Sequence, residues 1–525
     1  MQSLEEVLKK YEPVIGLEVH AELTTLNTKM FCGCKLSFGD EPNTHTCPVC
    51  LGMPGALPVP NKAAIQSIVM AGLATNCEIE KESMFYRKNY VYPDMAKNFQ
   101  TTQGPIAFCM RGHLDLDINA KGAAERFGAC DLNPGETFEN MTGNDSGYSA
   151  HVGITRIHME EDAGKMVHVG GSDGRIEGAT HSLVDYNRAG TPLIELVTEP
   201  DLRSPEEARV FMQKLRQIYL AIGISDCSME KGSLRCDGNI SLRRRGEKSL
   251  GTKTELKNIN SFKSLHDGLM YEILRQAEVL DEGGVIYQET RHYDVTRKHT
   301  IVMRVKESAD DYRLFPEPDM VPFSLSDEFI EDVRSKLPEL PDEKAARFVS
   351  NYNLSKADAN ILIDNSFACN LFEDAIGTID SPSKTYAKSL FNLIVNEVLA
   401  IANDASQGDD LYQSLKADNL ARLVKICDEG KISKNQQKEV LAEIVNSGKD
   451  CEEIIKAKGF EQVSDTLLIE ETVNKVLSDY PDKVEAYRAG KTGLIGFFVG
   501  ECMKILKGQG NPKLINEMLS EKLNN

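Results

Sequence analysis

The chain has 525 residues, with 60 Lys+Arg against 80 Asp+Glu, a formal net charge of -20, 41% hydrophobic residues and no tryptophan. That length suffices for two to four domains with real cores. The acidity excludes a protein that coats nucleic acid or anionic membrane by bulk attraction, so a polyanionic partner would have to meet a local basic patch. No apolar run reaches the length of a bilayer span, and the start, Met1-Gln2-Ser3-Leu4-Glu5-Glu6, is acidic where a targeting signal would be basic. The expectation is a cytoplasmic chain without a membrane partner, whose 13 cysteines are thiols or metal ligands rather than disulfides.

Up to about residue 295 the pattern is mixed. Pro13–His20, Gly153–Met159 and Asn239–Leu242 read as strands between turns rich in Gly and Pro. Ser204-Pro205-Glu206-Glu207 opens a helix with an N-cap, a proline at the first helical position and a glutamate three residues after the cap. Its apolar face is Phe211, Leu215, Ile218 and Ile222, and Gly223 supplies a left-handed end. A second helix is expected from Lys263 to Leu280. From Ser324 onward the pattern is helical, broken at Pro338, Pro341 and Ser381-Pro382, and the polar stretch 402–410 reads as a linker. Residues 411–525 carry 17 Lys+Arg and 18 Asp+Glu, leaving 43 and 62 to residues 1–410, so the acidity lies in the first part. The expected class is α+β: a mixed or antiparallel sheet domain over 1–295, an all-α domain over 296–405 and a small helical tail over 406–525.

Two constellations carry chemistry. Cys32-x-Cys34 and Cys47-x-x-Cys50 place four thiols within nineteen residues, enough to close a tetrahedral, and therefore structural, zinc site; ordinary buried cysteines are the alternative. The second is dispersed over Glu18-Val19-His20, His158-Met159-Glu160-Glu161-Asp162, Asp185 and Glu195. Residues two apart on a strand share a face, so Glu18 and His20 can converge, and carboxylates with one imidazole suit a hard cation such as Mg2+. Exposed acidic faces give the same pattern without a metal. Tyr86–Asp94 alternates cations with aromatics, and Arg243-Arg244-Arg245 with Lys248, Lys253, Lys257 and Lys263 forms a basic island. Gly490-Lys491-Thr492 is not a phosphate loop, since Glu485 stands where the first glycine is required.

Several long segments together are similar to one family. Val14–His20, Arg87-Lys88-Asn89-Tyr90, His158–Lys165, Leu183–Glu195, Gly232–Asp237 and Tyr312–Asp319 resemble the B subunit (GatB) of the aspartyl/glutamyl-tRNA amidotransferases, the GatCAB complexes, from about residue 13 to the end. The resemblance implies a cradle-shaped catalytic domain, a helical domain and a YqeY-like tail that touches tRNA. It implies ATP- and Mg2+-dependent phosphorylation of the side-chain carboxylate of misacylated Glu-tRNA(Gln) or Asp-tRNA(Asn), then amidation by ammonia. That ammonia comes through an internal channel from the amidase of the heterotrimer, its A subunit, and the small C subunit clasps the other two. Carried over by position, His20, Glu161 and Glu195 hold one metal, and Glu18 and Asp237 lie near a second ion. Lys88 stands at the channel exit, Asp185 joins the catalytic set, and Ser233, Arg235, Thr252 and Lys253 line the ATP pocket. In the tail, Arg488, Lys491, Lys504, Lys507 and Lys513 are the cations expected to meet tRNA. A regular strand puts Glu160 and not Glu161 on the face of His158, so both glutamates are candidates. The rival readings are a stand-alone amide ligase and a non-catalytic, zinc-stapled tRNA scaffold.

Overall fold

The computed structural model describes residues 2–128, 147–170, 178–305, 312–404, 414–460, 466–506, 510 and 512–524. It separates into two compact units, Met1–Leu340 and Pro341–Asn525. In the first unit the strands are β1 (Tyr11–Glu22), β2 (Glu78–Ile79), β3 (Glu82–Ser83), β4 (Phe85–Asn89), β5 (Phe99–Gln103), β6 (Cys109–Ile118), β7 (Tyr148–Glu161) and β8 (Lys165–Val169). They continue as β9 (His181–Asp185), β10 (Pro192–Thr198), β11 (Leu234–Arg244), β12 (Thr254–Ile259), β13 (Glu289–Asp294), β14 (His299–Val305), β15 (Phe315–Pro316) and β16 (Phe323–Ser324). Among the described residues, twelve of these form one sheet in the order β14-β13-β12-β11-β1-β10-β7-β5-β4-β15, with β6 also on β7 and β2 on β6. The β12–β13 pair is parallel and the other ladders are antiparallel, so the sheet is mixed.

Alternation along β1 organises this unit. Ile15, Leu17, Val19 and Ala21 are at most 1% exposed and join the main core, so Glu18, His20 and Glu22 project from the opposite face. Helices α1 (Leu4–Lys10), α2 (Lys62–Ala74), α3 (Ala120–Phe127), α4 (Pro205–Ala221) and α5 (Phe262–Asp281) accompany the sheet, and α2, α4 and α5 contribute to that core. Helix α4 begins as its sequence dictates: the Ser204 hydroxyl accepts from the Glu207 N–H, Pro205 is the first helical residue, and Gly223 follows its end at φ +69°. Buried Phe211, Met212, Leu215 and Ile218 lie on its sheet side.

Two expected boundaries move. The first unit does not end near 295, because β14 pairs with β13 and β15 returns to β4, keeping the chain in the sheet domain until Leu340. Nor does a boundary fall at 405 in the second unit. One apolar cluster runs from Phe348 to Ile455 and joins Leu390 and Ile394 to Leu420 and Val424; a second, from Ile469 to Leu523, forms the terminal core. The expected linker at 402–410 lies largely outside the described residues.

Phe211 is fully buried. Phe211→Ala is expected to destabilise the sheet unit by about 3–5 kcal/mol, read by circular dichroism as a lower urea midpoint with an unchanged slope.

Candidate active site and metal centres

Ladder register assembles the dispersed constellation. His20 lies opposite Arg235 of β11 and Glu195 of β10, and Glu195 in turn lies opposite His158 of β7. Directly opposed residues share a face, so the four form one row across the sheet. One step along β1, Glu18 lies opposite Asp237. His20 Nε2 is 3.1 Å from Glu195 Oε2, and His158 Nε2 is 3.6 Å from the same oxygen and 3.3 Å from Glu160 Oε1. Ligand atoms of His20, Glu160 and Glu195 all lie within 4.8 Å of one another, as do those of Glu18, Asp237 and Glu255.

The adjacent glutamates separate. Glu160 is held on the His20 face by the Thr102 hydroxyl at 2.8 Å and the Gln100 amide at 3.0 Å. Glu161 points the other way, accepting from the Thr101 N–H at 2.9 Å and pairing with Lys97. Of the two candidate glutamates, β7, regular through 161, brings Glu160 and not Glu161 to His20 and Glu195. Asp185 also goes elsewhere, accepting from the N–H groups of Asn43 and Asn187, both at 2.9 Å, and so fastening the cysteine-bearing loop.

Electrostatics favour charged groups here despite burial. Burial pulls the His20 pKa down, but the hydrogen bond and charge of Glu195 reverse this and leave it raised. Burial likewise pushes Glu195 up, yet the charges of His158, His20 and Lys88 hold it well below the usual carboxylate range; Glu160 is lowered in the same way, by His158 first. Lys88 thus acts on both carboxylates through its field, with its Nζ 5.1 Å from the Tyr312 ring centre. Arg235 joins the row and donates to Asp162 Oδ2 at 2.7 Å beside Arg188 at 2.8 Å. Burial and the neighbouring Asp162 push Glu22 up to about 8.

The remaining nucleotide candidates divide. Buried Ser233 spends its hydroxyl on Asp226 and Ser228, shaping the turn before β11, while Thr252 and Lys253 are exposed beyond β11. The basic island is neutralised in part: Arg243 pairs with Glu12, Lys257 with Asp237 and Lys263 with Asp267, and Arg245 donates to the Leu8 carbonyl. In the tail, Arg488 donates to the carbonyls of Leu523 and Lys522 at 3.2 and 3.4 Å and so pins the last helix, and Lys504 pairs with Glu501. Lys491 is exposed before the turn Thr492–Leu494. Lys507 and the side chain of Lys513 lie outside the described residues.

Both metal readings meet a geometric test. A tetrahedron with bonds of ~2.3 Å has edges of ~3.8 Å; Cys50 Sγ and Cys47 Sγ are 3.9 Å apart, and all four sulfurs lie within 4.8 Å. Adjacent ligands of an octahedron with bonds of ~2.1 Å stand ~3.0 Å apart, close to the His20–Glu195 separation of 3.1 Å. Among the described residues, Asn239 Oδ1 and Arg235 Nε, beside the two carboxylate clusters, are buried without partners, which suits a site built for a ligand.

Sequence similarity agrees with this geometry. Residues 13–331 match the GatB/GatE catalytic domain family and 370–523 match the GatB domain family. The chain is 44% identical over 517 residues to the B subunit of the aspartyl/glutamyl-tRNA(Asn/Gln) amidotransferase of Carboxydothermus hydrogenoformans, covering 98% of this chain and 99% of that one. This chain belongs to the GatB family. Its identity to the corresponding B subunits of Persephonella marina and of Geobacter sp. strain M21 is 45% and 46%, covering 98% of this chain in each case and 100% and 99% of theirs.

Within this GatB fold, sequence reasoning missed Lys97, Gln100, Glu22 and Glu255. Glu22 was findable, since Glu18-x-His20-x-Glu22 continues the two-residue period. The others carry no local signal: sheet pairing brings Gln100 and Glu255 to the site, and the turn before β5 brings Lys97 to Glu161.

A raised histidine pKa fixes the sign of the pH dependence. The His20–Glu195 pair stabilises the metal-free fold fully below about 6.5, and that contribution is lost as pH rises through the folded value. A cation must displace the same proton, so Mg2+ or Mn2+ affinity is expected to rise with pH through the raised His20 value, above the ordinary histidine range, by calorimetric titration. The Glu195→Gln variant is expected to lose this rise.

Proposed function

We propose that this chain is the tRNA-handling, carboxylate-activating component of a glutamine-dependent amidotransferase. It converts Glu-tRNA(Gln), Asp-tRNA(Asn) or both to Gln-tRNA(Gln) and Asn-tRNA(Asn), working in the cytoplasm as one of three proteins, the others being an amidase and a small clasping protein. The observation that carries this reading is the convergence of His20, Glu160 and Glu195 beside a second cluster of Glu18, Asp237 and Glu255, on one face of a rigid sheet.

A carboxylate resists attack by ammonia because its leaving group would be oxide, and phosphorylation replaces that oxide with phosphate. When bound, ATP and a divalent cation supply the phosphoryl group and screen its approach to the substrate carboxylate. The chain supplies the rest. Glu160 and Glu195, kept ionised by His158, His20 and Lys88, would hold the cation, and Glu18, Asp237 and Glu255 with Lys257 would receive a second ion or the nucleotide. Arg235 and Lys88 offer positive charge to anionic groups over the same face. Thr252 and Lys253, on the exposed loop beyond β11, belong to the nucleotide side of this reading.

A polar cavity of about 210 Å³ lies behind the cation cluster, lined among others by Lys29, Arg87, Lys97, Glu161, Glu317 and Asp319. Glu161 faces it while the residue before it in the strand, Glu160, faces the cluster, so one strand divides the two spaces. This supports the cavity as part of the ammonia path. The four cysteines have the donor set and spacing of a structural zinc site beside that cavity, which Cys32 and Cys50 also line.

His20→Ala in the reconstituted heterotrimer is expected to lower ATP-dependent phosphorylation of Glu-tRNA or Asp-tRNA by about 100-fold or more while tRNA binding persists. Unchanged phosphorylation would refute the site. For the tRNA-binding tail, the cut belongs before residue 466, because a cut near 408 would split the apolar cluster from Phe348 to Ile455. Removing 466–525 is expected to weaken tRNA affinity and flatten its salt dependence.

A further inference from the structure

Lys29 is a fully buried lysine, 0% exposed, directly after the strand and turn that lead to the cysteine loop. Its Nζ donates to the Tyr186 carbonyl at 3.0 Å and lies 3.7 Å from Cys50 Sγ. Among the described residues no carboxylate pairs with it: Glu161, which lines the same cavity, is taken by Lys97. A desolvated ammonium costs several kcal/mol unless an anion faces it, and a carbonyl is not one. The group that faces it is the Cys50 sulfur.

A tetrahedral zinc with four thiolates carries a net charge of about -2, itself expensive to bury. Cys50 is the buried member of the four, and it already accepts from the Cys47 N–H at 3.2 Å. The ammonium adds a second donor to the same sulfur, and each burial penalty offsets the other. The same lysine is tied to the cavity wall. Met30 N–H donates to the Gly190 carbonyl at 2.8 Å, and Gly190 N–H to the Asp162 carbonyl at 2.9 Å. Gly190 has φ +83°, and a Cβ placed there would lie 3.5 Å from Lys29 Cδ, 3.7 Å from Cys50 Cβ and 3.8 Å from Glu161 Oε2. The lysine stem, the cysteine and the cavity glutamate therefore meet around one residue, whose left-handed backbone favours glycine.

We propose that Lys29 is the counter-charge of the four-cysteine centre: its ammonium donates to the zinc-bound Cys50 thiolate and links the centre's metal occupancy to the polar cavity beside Glu161. The inference rests on the zinc reading of the four cysteines. Lys29 is a positioning residue, acting on the metal through a ligand. Such partners of metal ligands typically contribute about 10–100-fold in metal affinity.

The test uses the full-length chain, with metal content by mass spectrometry, zinc affinity by competition with a chromophoric chelator, and the thiolate-to-cobalt charge-transfer band after Co2+ substitution. Lys29→Met, which keeps the length and loses the charge, is expected to weaken zinc about 10–100-fold and move the cobalt band to lower energy. Lys29→Gln, which keeps a donor without charge, is expected to fall between, and Lys29→Arg to restore most of the affinity; these two decide the matter if the Met variant does not fold. Zinc affinity and a cobalt spectrum unchanged in Lys29→Met, or equal losses in the Gln and Arg variants, would overturn the inference while leaving the zinc reading intact. A wild-type chain that binds no zinc would overturn both.

Discussion

The two-residue alternation of β1, fixed by its two ladder partners, is the constraint on which the site depends. Burying Ile15, Leu17, Val19 and Ala21 against the helices leaves Glu18, His20 and Glu22 no choice of face. The pairings with β10 and β11 then deliver Glu195, Arg235 and Asp237 from distant parts of the chain. A slip of one residue would move every one of the β1 acids and His20 into the core, so the hydrophobic packing that stabilises the sheet also selects the chemistry of its open face.

That face is a case of like charges tolerated because cations are interleaved with them. His20 and His158 stand on either side of Glu195, Lys88 acts on Glu160 and Glu195 from β4, and Arg235 with Arg188 holds Asp162 below the usual carboxylate range although burial opposes it. At Glu22 burial and the neighbouring Asp162 outweigh Arg188 and Arg235, and its pKa stays raised. The four-cysteine centre follows the same rule on the other side of the β7 glutamates, with Lys29 as its cation. Within a net charge of -20, the acids of the His20 face thus stand among histidines, lysines and arginines.

Much of this was legible in the sequence where the signal is local. The cap and proline of α4, the alternation of β1 and the cysteine spacing each carry their structure within a few residues. The placement of Glu160 on the His20 face was also legible in principle, since a regular strand allows only Glu160 to join His158, whereas positional resemblance points to Glu161. The domain boundaries at 295 and 405 were not legible. Glu289–Asp294 alternates too weakly to announce a sheet strand, and the cluster from Phe348 to Ile455 is built by helices meeting across the expected linker. Buried cations such as Lys29 and Lys97 were invisible for a simpler reason: in sequence a buried lysine looks like an exposed one, and only the fold supplies its anion. The basic island is partly misleading in the opposite sense, since Arg243 and Lys257 pair with acids of the chain, and Arg488 donates to the carbonyls of the last helix.

The most direct test of the central claim is Mn2+ binding to the purified chain, followed by electron paramagnetic resonance, in wild type, Glu160→Gln and Glu161→Gln. Weakened binding in Glu160→Gln with near-wild-type binding in Glu161→Gln is the result predicted for a cation held on the His20 face. Loss in Glu161→Gln with retention in Glu160→Gln would contradict it.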